Sequence, residues 1–274
     1  MSNLIRPLCV LALALTVPVG CFEFDNTSNV ELREALEEVV IANQGEIVEN
    51  EIIQITTDFT LGEAAQTIAN NLRDALQSQI PCSTITVIDN TITMDFGSLD
   101  DTCVYNGQTF AGVISLEITY DAAGDKAIVD HDYQGLTNGT VTMNGTKTVT
   151  WDEKARHVVS DLMVERDGKT VHHTSDRVMT LLDPAAGLAG GIVINGSHQW
   201  ENTKGPWELT VDGVEVRWID PVPQSGSYVL DTPKGKTIDL SFSRVDADTI
   251  AVTLSAGTRE LVFHVTSTGQ IEEA

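Results

Sequence analysis

Positive charge is what this 274-residue chain most lacks: 16 Lys and Arg stand against 40 Asp and Glu, a formal net charge of −24. So acidic a surface repels phosphate backbones and anionic headgroups, which argues against nucleic acid as a partner. The apolar run "LCVLALALTVPV" is only about 12 residues, short of the ~20 a membrane-spanning helix needs. Cysteine is sparse, with 4 in all. No C-x-x-C and no cysteine–histidine spacing occurs, which speaks against redox or zinc roles for these cysteines. No serine lies in a G-x-S-x-G elbow, and no glycine-rich phosphate or dinucleotide fingerprint is present. Calcium loops need a D-x-D-x-D-G pattern, and "SLDDTC", "DHDYQG" and "RVDADT" do not supply it.

What is present begins at the amino terminus. Arg6 is the only charged side chain before Cys21, and the apolar run fits a signal-peptide core of ~7–15 residues. With Gly20 before Cys21, the segment resembles a bacterial lipoprotein signal, although Pro18 stands where that pattern has an aliphatic residue. The resemblance implies a signal peptide over 1–20, a lipid on Cys21, a tether over 21–29 and a membrane as partner through that anchor. Phe22, not Asp, follows the cysteine, which favours the outer membrane in enterobacterial-type sorting. Ordinary secretion, with Cys21 left as a thiol, is the alternative. Cleavage removes Cys9 and Arg6, leaving 15 Lys and Arg against 40 Asp and Glu, a net of −25. Cys82 and Cys103 remain as an even pair in an exported chain and are expected to form a disulfide closing a loop of roughly 20 residues.

The mature chain reads as mainly β, of the α+β class. The expected architecture is a long antiparallel meander, a large twisted sheet with two N-terminal amphipathic helices packed on it. Residues 30–80 are helical in pattern and 81–274 form the antiparallel β domain. Ser28 and Glu31 have capping-box spacing before Leu32, Leu36, Val39 and Val40, as do Thr60 and Glu63 before a stripe that includes Ile68, Leu72, Leu76 and Ile80. After Pro81 the period changes to 2. Asp89–Asn90 predicts a hairpin pairing Val87 with Ile92 and Ile85 with Met94. Asp212–Gly213 in "WELTVDGVEVRW" predicts another, pairing Val211 with Val214, Leu209 with Val216 and Trp207 with Trp218. Further turns are expected at Asn144–Gly145 and Asp167–Gly168. The Asn144–Gly145 turn would set Val141 and Met143 on one face and Val149 and Trp151 on the other.

The stretch "CSTITVIDNTITMDFGSLDDTCVYNGQTFAGVISLEI" has a Cys, a Val/Ile-rich strand ending in Asp95-Phe96-Gly97, a second Cys, then Gly107 and Gly112. In this it resembles a family of uncharacterised bacterial lipoproteins, over residues 80–265. The resemblance implies a β-protein of the cell envelope and brings no catalytic residues with it.

Two stretches hold groups capable of chemistry. In "VDHDY", Asp130 and Asp132 share one strand face about 7 Å apart and His131 points to the other, which rules out a local triad. That separation falls within the range of glycoside-hydrolase pairs, but a solvated face is the expectation. In "TVHHTSD", the turn sets His172 across from Met163 and His173 across from Leu162, with Asp161 and Glu165 diagonal to His172. Zinc wants three or four converging ligands, so neither a metal site nor any cofactor is expected. The leading expectation is a non-enzymatic, lipid-anchored envelope protein, a scaffold or interaction surface whose partner, a protein or an apolar ligand, the sequence does not name. A carrier holding an apolar ligand between sheet and helices comes second, and an envelope hydrolase using carboxylates third.

Overall fold

A computed structural model describes residues 27–39, 65–101, 103–105, 108–121, 123, 126–151, 155–166, 168–186, 190–217, 223–266 and 270–274. Cys21, Val40, the Thr60–Glu63 pair and Trp218 lie outside the described residues. Helix α1 spans 29–39, and its capping box forms: Ser28 N donates to Glu31 Oε2 at 2.8 Å and Glu31 N donates to Ser28 Oγ at 3.2 Å. Each bond satisfies an amide that the first helical turn leaves without an intrahelical acceptor. Helix α2 spans Ala65–Gln79.

Fifteen strands follow among the described residues: β1 (Thr84–Ile88), β2 (Thr91–Asp95), β3 (Cys103–Tyr105), β4 (Gln108–Asp121), β5 (Lys126–Thr137), β6 (Val141–Trp151), β7 (Ala155–Arg166), β8 (Lys169–Leu181), β9 (Ile192–Asn202), β10 (Gly205–Val216), β11 (Ser225–Asp231), β12 (Thr237–Arg244), β13 (Thr249–Ala256), β14 (Arg259–Thr266) and β15 (Ile271–Glu273). They form one antiparallel sheet in chain order, with β3 set aside against β4. The expected disulfide is present: Cys82, just before β1, bonds Cys103 in β3, with Cα atoms 5.3 Å apart.

Two of the four anticipated turns form. Across Asp89–Asn90, Val87 pairs with Ile92 and Ile85 with Met94. Between β7 and β8, Leu162 pairs with His173 and Met163 with His172. The other two Gly-containing dipeptides do not turn the chain. Asn144–Gly145 lies in the middle of β6, so Val141, Met143, Gly145, Lys147, Val149 and Trp151 all share one face. Asp212–Gly213 lies within β10 as a bulge, where the register with β9 shifts between Val211 and Val214 and Gly213 has φ 58°. The physical reason is common to both. Ladders on both flanks hold each strand straight through its glycine: Gly145 keeps an unbroken register with β7, and at Gly213 the left-handed conformation serves a bulge as well as it would a hairpin turn. Trp207 therefore pairs with Trp200, the rings stacked with centroids 6.1 Å apart and both buried.

The core has two large apolar clusters. Leu72, Leu76 and Ile80 belong to one, with Ile92, Met94, Ile114, Leu116 and Leu162. Leu32, Leu36 and Val39 belong to the other, with Trp200, Trp207, Leu209, Leu230, Leu254 and Phe263. Side chains tie α1 in place as well. Asn202 Nδ2 donates to Glu38 Oε2 at 2.9 Å while Trp207 Nε1 donates to Asn202 Oδ1 at 3.3 Å. Lys234 Nζ lies 2.9 Å from Glu31 Oε1 and Lys204 Nζ 3.3 Å from Glu38 Oε1.

Two stability predictions follow from this packing. Trp207→Ala should cost about 3–5 kcal/mol in urea unfolding, whereas Glu208→Ala on the exposed face should stay within ~0.5 kcal/mol. Reducing the disulfide should lower stability by about 3 kcal/mol, and thiol titration of the unfolded, non-reduced chain should find Cys82 and Cys103 unreactive.

Candidate functional site

Successive register partners trace a row across the buried face: Val87, Ile92, Leu116, His131, Lys147, Ser160, Ser175, His198, Leu209, Leu230 and Ile238. It is apolar at both ends and polar in the middle. His173 and Arg177, flanking Ser175 on β8, widen the polar stretch. Lys147 and Arg177 are each only 1 % exposed. Burying a cation is expensive unless its surroundings compensate it, so these positions are chemically demanding ones.

A local two-fold axis normal to the sheet, passing between Ser160 and Ser175, organises this band. In the register it relates β7 to β8, β6 to β9, β5 to β10 and β4 to β11. It carries Lys147 onto His198 and Leu162 onto Arg177. The irregularities obey it too: the shift between Tyr133 and Leu136 in β5 maps onto that between Val211 and Val214 in β10. Gly135 N donates to Asn144 Oδ1 at 2.8 Å, and its counterpart Gly213 N donates to Asn195 Oδ1 at 2.9 Å. Gly145 maps onto Gly196. A Cβ at Gly145 would meet the Asp161 carbonyl oxygen at 2.3 Å and one at Gly196 the Asp176 carbonyl oxygen at 2.2 Å, so neither position tolerates a side chain. Because the axis reverses the chain order of the strands, the symmetry comes from where the glycines fall and not from a tandem repeat.

On the axis, Ser160 Oγ and Ser175 Oγ are 2.7 Å apart. The His131 ring stacks on Tyr133 at 6.1 Å, and His173 lies 5.5 Å from His198. His131 Nδ1 is 3.2 Å from the Val129 carbonyl oxygen and 3.3 Å from that of Lys147. Carbonyls only accept, so Nδ1 carries the proton. Burial, reinforced by the Lys147 ammonium, pushes the His131 pKa down to about 3 and keeps the ring neutral. At one end of the band, the Arg156 guanidinium lies 3.7 Å over the Trp151 ring, and burial lowers its pKa to about 10. It stays charged at neutral pH.

The opposite face of β7 and β8 is exposed and obeys the same axis. His157 Nε2 lies 2.6 Å from Asp176 Oδ1, and its counterpart His172 Nε2 lies 2.7 Å from Asp161 Oδ1. The diagonal acid expected beside His172 is there. Val159 is exposed between the two pairs, and Val178 and Met163 are exposed at their outer ends, opposite His157 and His172. Asp130 and Asp132 share this face; Thr148 donates to Asp130 at 2.5 Å and Gln134 donates to Asp132 at 2.7 Å. Among the described residues, no three His, Cys, Asp or Glu side chains are arranged to hold a metal ion.

Sequence reading placed His131 on the face opposite the aspartates but did not single out Lys147, Ser160, Ser175, Arg177 or His198. A signal existed: read as one strand, "VTMNGTKTVTW" puts Lys147 at the same parity as Val141, Met143, Val149 and Trp151. Comparison of the chain with protein-family models, curated proteins and solved structures found no match.

Native His131 titrates near 3 and an unfolded histidine near 6.5. The unfolded state therefore binds more protons between these values, and stability falls as pH drops below 6.5. The depressed Glu31, at about 2 against an ordinary 4.5, adds its own loss only below 4.5. Urea unfolding between pH 6.5 and 4.5 should accordingly show a shallower pH slope in His131→Gln than in the parent chain.

Proposed function

We propose that the protein is a non-enzymatic, lipid-anchored protein of the bacterial cell envelope, its sheet a scaffold that presents an interaction surface to a protein partner. In this reading Cys21 carries the lipid, residues 21–29 form the tether, and the two helices pack on the sheet as struts, leaving the opposite face to the partner. The observation that carries the reading is the exposed face of β7 and β8, where Val159, Met163 and Val178 are interleaved with two symmetric His–Asp pairs. Exposed aliphatic side chains framed by polar groups are a common composition of contact surfaces. The likeness of residues 80–265 to envelope lipoproteins supports the same reading, as does the acidic composition, which keeps the chain off nucleic acid.

A second reading has its own support. The buried band of Lys147, Arg177, His131, His173 and His198, walled by apolar clusters, is the kind of lining that would hold the polar head of an otherwise apolar ligand. Mass spectrometry of the purified protein separates the two, since a carrier co-purifies with such a ligand and a scaffold does not.

The anchor is tested by fractionation. Cys21→Ser should move the protein from the membrane to the soluble fraction, and unchanged membrane association would overturn the lipid assignment. Met163→Glu, on the exposed face, should reduce chemical cross-linking to the partner in intact cells while leaving the protein in the membrane.

A further inference from the structure

The two ends of the sheet are unlike. At one end β15 is three residues long and carries Glu272 and Glu273. Short, charged edge strands resist further pairing. At the other end β1 reads Thr-Ile-Thr-Val-Ile, without a charge or a proline, and among the described residues its one neighbour is β2. Its pairing fixes which backbone groups face outward. Ile88 and Thr91 flank the two-residue turn and form a hydrogen-bonded pair, so Ile88, Thr86 and Thr84 address β2. Ile85 and Val87 therefore turn their N–H and C=O groups away from the sheet. Ile88 is 73 % exposed at the strand end. The strand is held firmly: Ile85 and Val87 pack against the cluster containing Leu76, and the Cys82–Cys103 bond pins its start.

Charge around this edge has one sign. Between Arg73 and Lys126 there is no Lys, Arg or His, while eight carboxylates occur. Asp89 sits in the turn at one end of β1, Asp95 is the register partner of Thr84 at the other, and Glu117 pairs with Thr91. We propose that β1 is a site of strand addition, taking an extended basic segment of a partner protein whose backbone pairs with Ile85 and Val87 and whose flanking lysines or arginines meet Asp89, Asp95 and Glu117. A second copy of this chain is the wrong occupant, because its own β1 would bring the same carboxylates together. The inference rests on the scaffold reading and names the chemistry of the partner.

The test uses the full-length protein in detergent and a short peptide of alternating Val and Thr with two lysines at each end. Titration should slow amide exchange at Ile85 and Val87, and the same peptide ended in glutamates should bind about tenfold more weakly. Val87→Pro removes an outward donor and should weaken binding about tenfold, the worth of one net hydrogen bond. Should that variant fail to fold, Thr86→Lys, whose side chain is exposed, keeps the core and should still repel the basic peptide. Equal binding of the acidic peptide, protection at other amides, or edge protection that grows with protein concentration alone would overturn the proposal. None of these outcomes would alter fractionation of the Cys21→Ser variant, so failure at the edge is distinguishable from failure of the envelope reading.

Discussion

The register between β7 and β8 is the constraint on which the rest of the molecule depends. Side chains alternate strictly along a strand, so a slip of one residue there would turn Lys147 and Val158 out of agreement with Arg177 and Met179 across the whole sheet. Every other pairing is referred to this one through the ladders on either side. The Ser160–Ser175 contact lies on the local axis, and the irregularities in β4, β5, β10 and β11 fall at matched distances from it. Bulges bend and twist the strands that carry them. Placed in matched pairs, they curve both halves of the sheet at the same level without disturbing the central ladder.

Much of this was readable in the sequence, and the failures have one cause. The capping box of α1, the β1–β2 register, the β7–β8 register and the disulfide all depend on local chemistry: a side chain meeting a nearby amide, a two-residue turn, two cysteines close in sequence. Asn144–Gly145 and Asp212–Gly213 have the same local chemistry as a hairpin turn, but their outcome is decided by strands far away in sequence. With β5 and β7 on its flanks, β6 gains more from a continuous ladder than from a turn at Gly145. The misplaced turn then broke the parity of the strand, and that hid Lys147 among what would have been exposed positions. On β6 the band was thus concealed by a wrong turn, not by any weakness in the pattern of alternation.

The scarcity of cations gives their placement meaning. Lys147, Arg156 and Arg177 are committed to the buried face, and Lys204, Lys234 and Lys236 to the acidic side of α1. Against 40 Asp and Glu few remain to neutralise the outside, and no Lys, Arg or His occurs between Arg73 in α2 and Lys126 in β5. The surface is acidic chiefly because cations are few, and burial of Lys147, Arg156 and Arg177 deepens that imbalance.

That distribution divides the two halves by chemistry where the backbone makes them alike. The axis carries β4 and β5 onto β11 and β10, glycine for glycine, yet the helix beside the second half is held by lysine–glutamate contacts, while β1 through β4 at the far end of the first half carry carboxylates and no cation. Its last strand, β1, is uncharged, while β15 ends in glutamates. A sheet built to be symmetric in its bending is thus asymmetric at its edges. Since a sheet edge is where backbone pairing can be extended, the asymmetry restricts any extension to one end and to a partner of opposite charge.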